Sequence, residues 1–293
     1  MLDLSLQILS IMAPSIILAS IGLAWKKSGT DYPTAFVTTL TLNIGLPALV
    51  FYTMVTADIS LASLKTLGFA TVAVHVVFLS VVIVVFKMVG KALPISIAHV
   101  VGNTGNLGLP LCLLAFGDEG LAYAMTFFAV QCLLFFTIGE SVYAGAINVS
   151  RMLRVPVIYA LLLAVVVRLS GIPLHSIILD TTEILGQLVV PIMLITLGVS
   201  IAGMKATNLS STIGWSVVRT VMAFGVGVFI ANLFGLTGVA RGVLIIETVV
   251  PVAVFNYLLA HRYDRNSDEV SGMILVTHIG ALFYLPLVLA YVL

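Results

Sequence analysis

Gly102-Asn103-Thr104-Gly105-Asn106-Leu107-Gly108-Leu109-Pro110 sits at the centre of a segment, residues 94–116, that is apolar on either side of it. Residues this polar and this flexible do not suit the middle of a continuous membrane helix. Pro110 removes an amide donor and clashes with the preceding turn, and three glycines weaken the helix further. Unwound backbone at membrane depth persists only where it is buried in protein or lines a cavity. The stretch predicts a broken transmembrane helix with something polar at its break.

The remainder of the chain supplies the membrane. Of 293 residues, 61% are hydrophobic and 9% charged, against about 25% charged in a soluble domain. A span takes about 20 apolar residues. Ten can be placed, at 5–24, 33–56, 65–87, 94–116, 120–147, 155–170, 179–202, 211–235, 239–261 and 269–292. An outer-membrane barrel would show short segments of alternating polarity, whereas Val72-Ala73-Val74-His75-Val76-Val77-Phe78-Leu79 is a continuous apolar run. The expected fold class is all-α integral membrane, with connections too short for a soluble domain. Met1-Leu-Asp-Leu-Ser-Leu-Gln has neither a basic leader region nor a small-residue cleavage site, so span one is expected to be retained. Cys112 and Cys132 fall inside spans and read as reduced packing residues. A net charge of +1, with no basic cluster larger than a pair, points to no nucleic-acid partner.

Orientation follows from Lys and Arg. With the N-terminus outside, the inner side holds Lys26, Lys27, Lys87, Lys91, Arg151, Arg154, Lys205, Arg262 and Arg265. The outer side holds Lys65, Arg168 and Arg241, and Arg219 lies within span eight near its inner end, where it is expected to snorkel. Nine against three fits the positive-inside rule. Both termini are then expected outside the inner (plasma) membrane.

The chain also repeats itself. Pro14, Lys26 and Ser28-Gly29 recur as Pro156, Arg168 and Ser170-Gly171, an offset of 142. Asn43-Ile-Gly-Leu-Pro47 is answered by Gln187-Leu-Val-Val-Pro191, offset 144, and Pro110 by Pro251, offset 141. Five spans per copy force the second copy to insert upside down. The expectation is two inverted five-helix repeats, residues 1–147 and 155–293, an architecture recurrent in secondary transporters.

Span nine is the counterpart of the broken span four: Glu247-Thr248-Val249-Val250-Pro251, with Asn256 beyond it. Each second half-helix then begins near the midplane with free amides and a positive dipole end. Two such ends aimed at one point form an anion site that needs no arginine. A charge at this depth costs at least about 2.5–3.5 kcal/mol on insertion scales, so Glu247 demands a reason. It ligates a cation together with Asn106, Thr104 and break carbonyls, or carries a proton, or holds a helix end; these three readings stay open. Glu140, nearer the inner end of span five, approaches Arg151 or Arg154. His75 and His278 read as satisfied core histidines, with pH sensing as the alternative. Thr126 and Gln131 in span five are candidates to face the broken helix.

These residues resemble the auxin efflux carrier family, the prokaryotic relatives of plant PIN carriers. The resemblance is carried by Asn43-Ile-Gly-Leu-Pro47-Ala-Leu-Val-Phe51, by Gly102 to Leu111 with Phe116-Gly-Asp-Glu-Gly120, and by Pro251-Val-Ala-Val-Phe-Asn256 with Ala260-His-Arg-Tyr263. It covers essentially the whole chain. It implies ten spans with four and nine crossing at the site, a scaffold of spans one, two, six and seven, and a moving transport domain of spans three to five and eight to ten. It implies small organic anions as substrates, moved by an elevator-type cycle, and a homodimer joined through the scaffold, which the apolar faces of spans two and seven also favour. Substrate contacts are then expected from Asn43, Asn103, Asn106, Pro110, Pro251 and Asn256. The long cytosolic loop of the plant carriers is missing, since only about Asn148 to Arg154 joins spans five and six. Glu247 is closer to the related bile-acid sodium symporters, which implies sodium as coupling ion at Glu247 and Asn106, with Thr104, Thr126 and Gln131 beside them. No other cofactor is expected.

The function expected is a sodium-coupled carrier of a small carboxylate, with a proton-coupled or uncoupled auxin-like carrier as the alternative. An intramembrane hydrolase lacks a catalytic pair, and a receptor lacks a signalling domain. An anion channel shares the broken-helix logic and is separated by concentrative uptake. Asn103→Ala or Asn106→Ala is expected to weaken substrate binding by about 1–3 kcal/mol, the cost of stranding a buried polar partner. Unchanged dissociation constants in both variants would make the break purely structural.

Overall fold

The computed structural model describes residues 2–90, 93–145, 155–204 and 209–293. Among these the fold is helical throughout, apart from one isolated antiparallel bridge between Gly102 and Val252. The elements are α1 (Leu2–Lys27), α2 (Thr34–Thr56), α3 (Leu61–Met88), α4 (Leu93–Val100), α5 (Thr104–Ala144), α6 (Pro156–Ser170), α7 (Ser176–Ala202), α8 (Leu209–Leu233), α9 (Gly238–Val249), α10 (Phe255–Arg262) and α11 (Ser267–Val292). Seven of them, α1, α2, α3, α5, α7, α8 and α11, are long and apolar enough to cross a membrane. The chain is an integral membrane protein. Lys91, Arg151, Arg154 and Lys205, which carry part of the orientation argument, lie outside the described residues.

Three local causes shape these helices. At 41 residues α5 would run roughly 60 Å if straight, about twice the hydrocarbon thickness. It bends at Gly117, whose φ of 65° and ψ of −153° no residue with a Cβ adopts readily. The sequences Asn43-Ile-Gly-Leu-Pro47 and Asn106-Leu-Gly-Leu-Pro110 each produce a π-helical turn, Thr41–Gly45 and Thr104–Gly108. The reason is common to both: proline has no amide to give the asparagine carbonyl four residues back, and its ring pushes that carbonyl aside. In α7 the turn at Leu188 divides Ser176–Gln187 from Val189–Ala202, four residues after Gln187 comes Pro191, and the same argument applies.

Packing falls into two groups. α1 lies along the Val189–Ala202 half of α7, while the Leu46–Thr56 half of α2 packs on α6 and on the Ser176–Gln187 half of α7. The other group gathers α3, α4, α5, α8, α9, α10 and α11. The α1–α7 contact is backbone against backbone, because a Cβ on Gly22 would strike the Ile195 carbonyl oxygen and one on Gly198 the Ala19 carbonyl oxygen. Arg168, at the end of α6, donates to the Met54 carbonyl oxygen at 2.9 Å and to that of Ile59, which ties α6 to the end of α2. Tyr32 and Thr196 join their hydroxyls at 2.6 Å.

Gly198→Ala is expected to destabilise the protein by roughly 1–3 kcal/mol or more, since a backbone carbonyl cannot rotate away as a side chain would. Gly214→Ala, where a Cβ meets nothing within 4 Å, is the control and is expected to be neutral or mildly stabilising. Thermal unfolding in detergent compares the two. Equal melting temperatures would remove the close α1–α7 contact.

Candidate functional site

Two interruptions meet at the centre of the second group. α4 stops at Val100 and α5 starts at Thr104, while α9 stops at Val249 and α10 starts at Phe255. The intervening residues pair with each other: the Asn103 amide donates to the Pro251 carbonyl at 2.6 Å and the Ala253 amide to the Val101 carbonyl at 3.0 Å. Asn256 Nδ2 adds a second donor to Val101 at 3.2 Å, and Tyr143 donates its hydroxyl to Asn256 Oδ1 at 3.5 Å. Each break is then tied down by a flanking helix. Gln131 Nε2, on α5 beyond its bend, donates to the Gly102 carbonyl at 2.9 Å and to Thr104 Oγ1 at 2.7 Å. From α11, Thr277 Oγ1 accepts from the Val252 amide at 3.2 Å and His278 Nε2 from Asn103 Nδ2 at 3.0 Å. His278 Nδ1 lies 2.7 Å from the Ile274 carbonyl, which fixes the tautomer that can accept from Asn103.

This pairing decides which amides remain. The Val101 and Gly102 carbonyls would be the helical acceptors for Gly105 and Asn106, but they face α10 and Gln131 instead. Pro251, the corresponding acceptor for Phe255, is taken by Asn103. The amides of Gly105 and Asn106 at the start of α5 and of Phe255 at the start of α10 are left as donors, while Asn256 and Tyr257 donate to the Ala253 and Val254 carbonyls at 3.0 and 3.1 Å. Free amides at a helix start attract anions.

Glu247 sits beside the first of these ends. It is 1% exposed, and its Oε1 accepts from Cys112 Sγ at 3.7 Å. Its Oε2 has no partner among the described residues. The carboxyl lies flat on Gly108, where an added Cβ would come within 2.6 Å of Cδ and 2.7 Å of Oε1. Gly108 is therefore the residue that admits an acid next to the break.

The other sequence candidates distribute unevenly. Thr104, Gln131, Asn103, Pro251 and Asn256 join the crossing directly. Pro110 is buried in α5, Asn106 is half-buried with its side chain outside these bonds, and Asn43 is exposed in the π turn of α2. Thr126 donates to the Ala122 carbonyl of its own helix at 3.0 Å rather than to the break. Glu140 accepts from the Tyr263 hydroxyl at 3.0 Å; Arg151 and Arg154 lie outside the described residues. Arg219 corrects an expectation outright. It does not snorkel but is fully buried near the middle of α8. Its Nε donates to the His99 carbonyl at 3.1 Å and its Nη1 to the Val249 carbonyl at 3.0 Å. Thr277 was missed, and its only sequence signal is a polar residue level with a break in a neighbouring helix. His278, read as a satisfied core histidine, is one, and its partner is the break itself. Gly108, read only as part of the break, is also the floor under Glu247.

A cavity of about 190 Å³ adjoins the crossing, bounded by α1, α7, α11 and the start of α5. Its walls are apolar, including Leu107, Leu111, Leu197 and Leu285, with Ser15 and His278 as polar points. Ser15 Oγ has no partner among the described residues. Among these residues no group of His, Cys, Asp and Glu is arranged to hold a metal ion. Gln131→Leu keeps the volume but strands the Gly102 carbonyl and the Thr104 hydroxyl, and is expected to cost roughly 1–3 kcal/mol. A melting temperature equal to that of the parent would show that the break holds its own shape.

Comparison with known proteins agrees with a membrane transport protein. The sequence profile of the family described as membrane transport protein matches residues 142–289, half of the chain. An uncharacterized transporter of Methanocaldococcus jannaschii is 25% identical over 219 residues, 69% of this chain and 70% of its own length. An uncharacterized transporter of Methanothermobacter thermautotrophicus is 29% identical over 213 residues, 68% of this chain and 67% of its own. The chain belongs to the membrane transport protein family, that of the auxin efflux carriers.

Proposed function

We propose that the protein is a secondary active carrier of a small organic anion, with Glu247 as the site of an exchangeable coupling cation. The observation that carries this reading is the buried carboxyl of Glu247, with Oε2 unpartnered, lying on Gly108 beside the free first-turn amides of α5. A lone buried carboxylate is costly unless something neutralises it. No arginine or lysine among the described residues pairs with it, so a sodium ion or a proton does. Once Glu247 is neutralised, the amide ends of α5 and α10 favour an anion, and the two bind with positive cooperativity. The 190 Å³ apolar cavity beside His278 suits the hydrocarbon part of a carboxylate.

The architecture proposed is ten spans in two inverted repeats, residues 1–147 and 155–293. Helix packing supports it: α1 lies on the second half of α7 as α6 lies on the second half of α2, which is the exchange an inverted repeat makes. α1, α2, α6 and α7 then form the scaffold, and the remaining helices the body that slides in an elevator cycle. The cavity lies between these two groups. The protein is proposed to sit in the inner membrane with both termini outside, as a homodimer through the exposed apolar faces of α2 and α7 (Phe36 and Ile184 are each 65% exposed).

Uptake of a carboxylate panel into proteoliposomes, across a two-by-two of sodium and pH, tests the coupling in wild type and in Glu247→Gln. Sodium as the ion makes wild-type uptake rise with sodium at fixed pH and collapse in potassium. A proton as the ion makes uptake follow acidification on the substrate side and ignore sodium. In Glu247→Gln the stimulation is expected to vanish while the fold survives. Wild-type, gradient-driven uptake in that variant would sink the assignment.

A further inference from the structure

Arg219 has no role in the reading above, yet it is the one fully buried arginine described and no carboxylate pairs with it. Arginine keeps its charge at any physiological pH, so that charge must be balanced by something else. Its two hydrogen bonds identify the balance. The His99 and Val249 carbonyls, which receive Nε and Nη1 at 3.1 and 3.0 Å, belong to the last turns of α4 and α9. Both helices end at the crossing, and each C-terminus carries up to roughly half a negative charge. Two ends amount to about one unit, which a single guanidinium offsets. Tyr284 adds its hydroxyl to Val249 at 3.2 Å. Trp215, one turn before Arg219 on α8, packs edge-on against Phe86, which in turn packs on His99, so α8 is held to α3 and α4 where the arginine enters.

Carbonyls at the C-terminal ends of broken helices are the groups that hold small cations in carriers of this general design. We propose that Arg219 is a tethered counter-cation: its guanidinium fills the seat between the ends of α4 and α9 that a free monovalent cation would otherwise occupy. The crossing then has its negative ends neutralised permanently and its positive ends, at α5 and α10, left for the anion. One exchangeable position remains, at Glu247, so one coupling cation accompanies each transport cycle. That stoichiometry rests on the carrier reading of Glu247. The occupied seat does not.

The test is chemical rescue read as thermal stability in detergent, which needs no substrate. Arg219→Ala is expected to melt about 5–10 °C below the parent, as breaking a buried charged contact does. Low millimolar guanidinium chloride is expected to recover much of that loss saturably, while choline chloride at equal ionic strength does nothing. Arg219→Met, which fills the seat with an apolar side chain, is not rescued, and the parent protein does not respond. Arg219→Ala that matches the parent without additives, or that ignores guanidinium, overturns the proposal. Should Arg219→Ala fail to fold, sodium titration of Glu247→Gln decides. With the seat filled, this variant shows no saturable sodium stabilisation; saturable stabilisation would reveal a second open cation site and reject the idea. Loss of cation coupling in the parent would strike the carrier reading while leaving guanidinium rescue intact.

Discussion

Backbone amides and carbonyls inside a membrane must find partners within the protein, and two broken helices can do so only through each other. That constraint organises the molecule. The pair of bonds from Asn103 to Pro251 and from Ala253 to Val101 closes a two-residue antiparallel contact where sheet is otherwise absent among the described residues. An unsatisfied group there would cost several kcal/mol, so side chains of neighbouring helices are recruited to the contact. Gln131, Thr277, His278 and Asn256 supply the remaining bonds. Three helices, α5, α10 and α11, are thereby tied to one point without any regular secondary structure at that point.

Charge follows from the same geometry. Breaking a helix creates a positive end and a negative end a few ångströms apart, and crossing two broken helices doubles both. The negative ends meet Arg219, whereas the positive ends meet no acid except Glu247, which contacts Gly108 and Cys112 at the side of α5. The resulting site is polarised by backbone alone. On the proposed reading it would take a negative charge generically, through amides and an apolar cavity rather than a dedicated side-chain clamp.

Much of this was legible from the residues, for identifiable reasons. Glycine, asparagine and proline at the middle of residues 94–116 can mean little other than a break, and Glu247 four residues before Pro251 marks its counterpart. The helical membrane class follows from 61% hydrophobic residues in runs without alternation. What escaped was azimuth. Gln131 and Thr126 are five residues apart on α5, yet one ties down the break and the other bonds to its own helix. Hydropathy assigns both to the membrane and neither to a face. Arg219 was misjudged because a window placed at 211–235 puts it near an end; the helix begins at Leu209, and the side chain is directed inward by partners on α4 and α9 that no local pattern announces. Asn43 shares its five-residue context with Asn106 and makes the same π turn, but its position in α2 leaves it exposed.

The central claim is that the charge of the substrate is held by the ends of two crossed half-helices. Density for a bound carboxylate labelled with a heavy atom, in a cryo-electron microscopy reconstruction at saturating ligand, tests it most directly. The account predicts the carboxylate between the first-turn amides of α5 and α10, close to Gly105, Asn106 and Phe255, with the labelled body in the cavity lined by Leu107 and Leu285. A carboxylate found away from both helix starts, with the crossing empty, would contradict it.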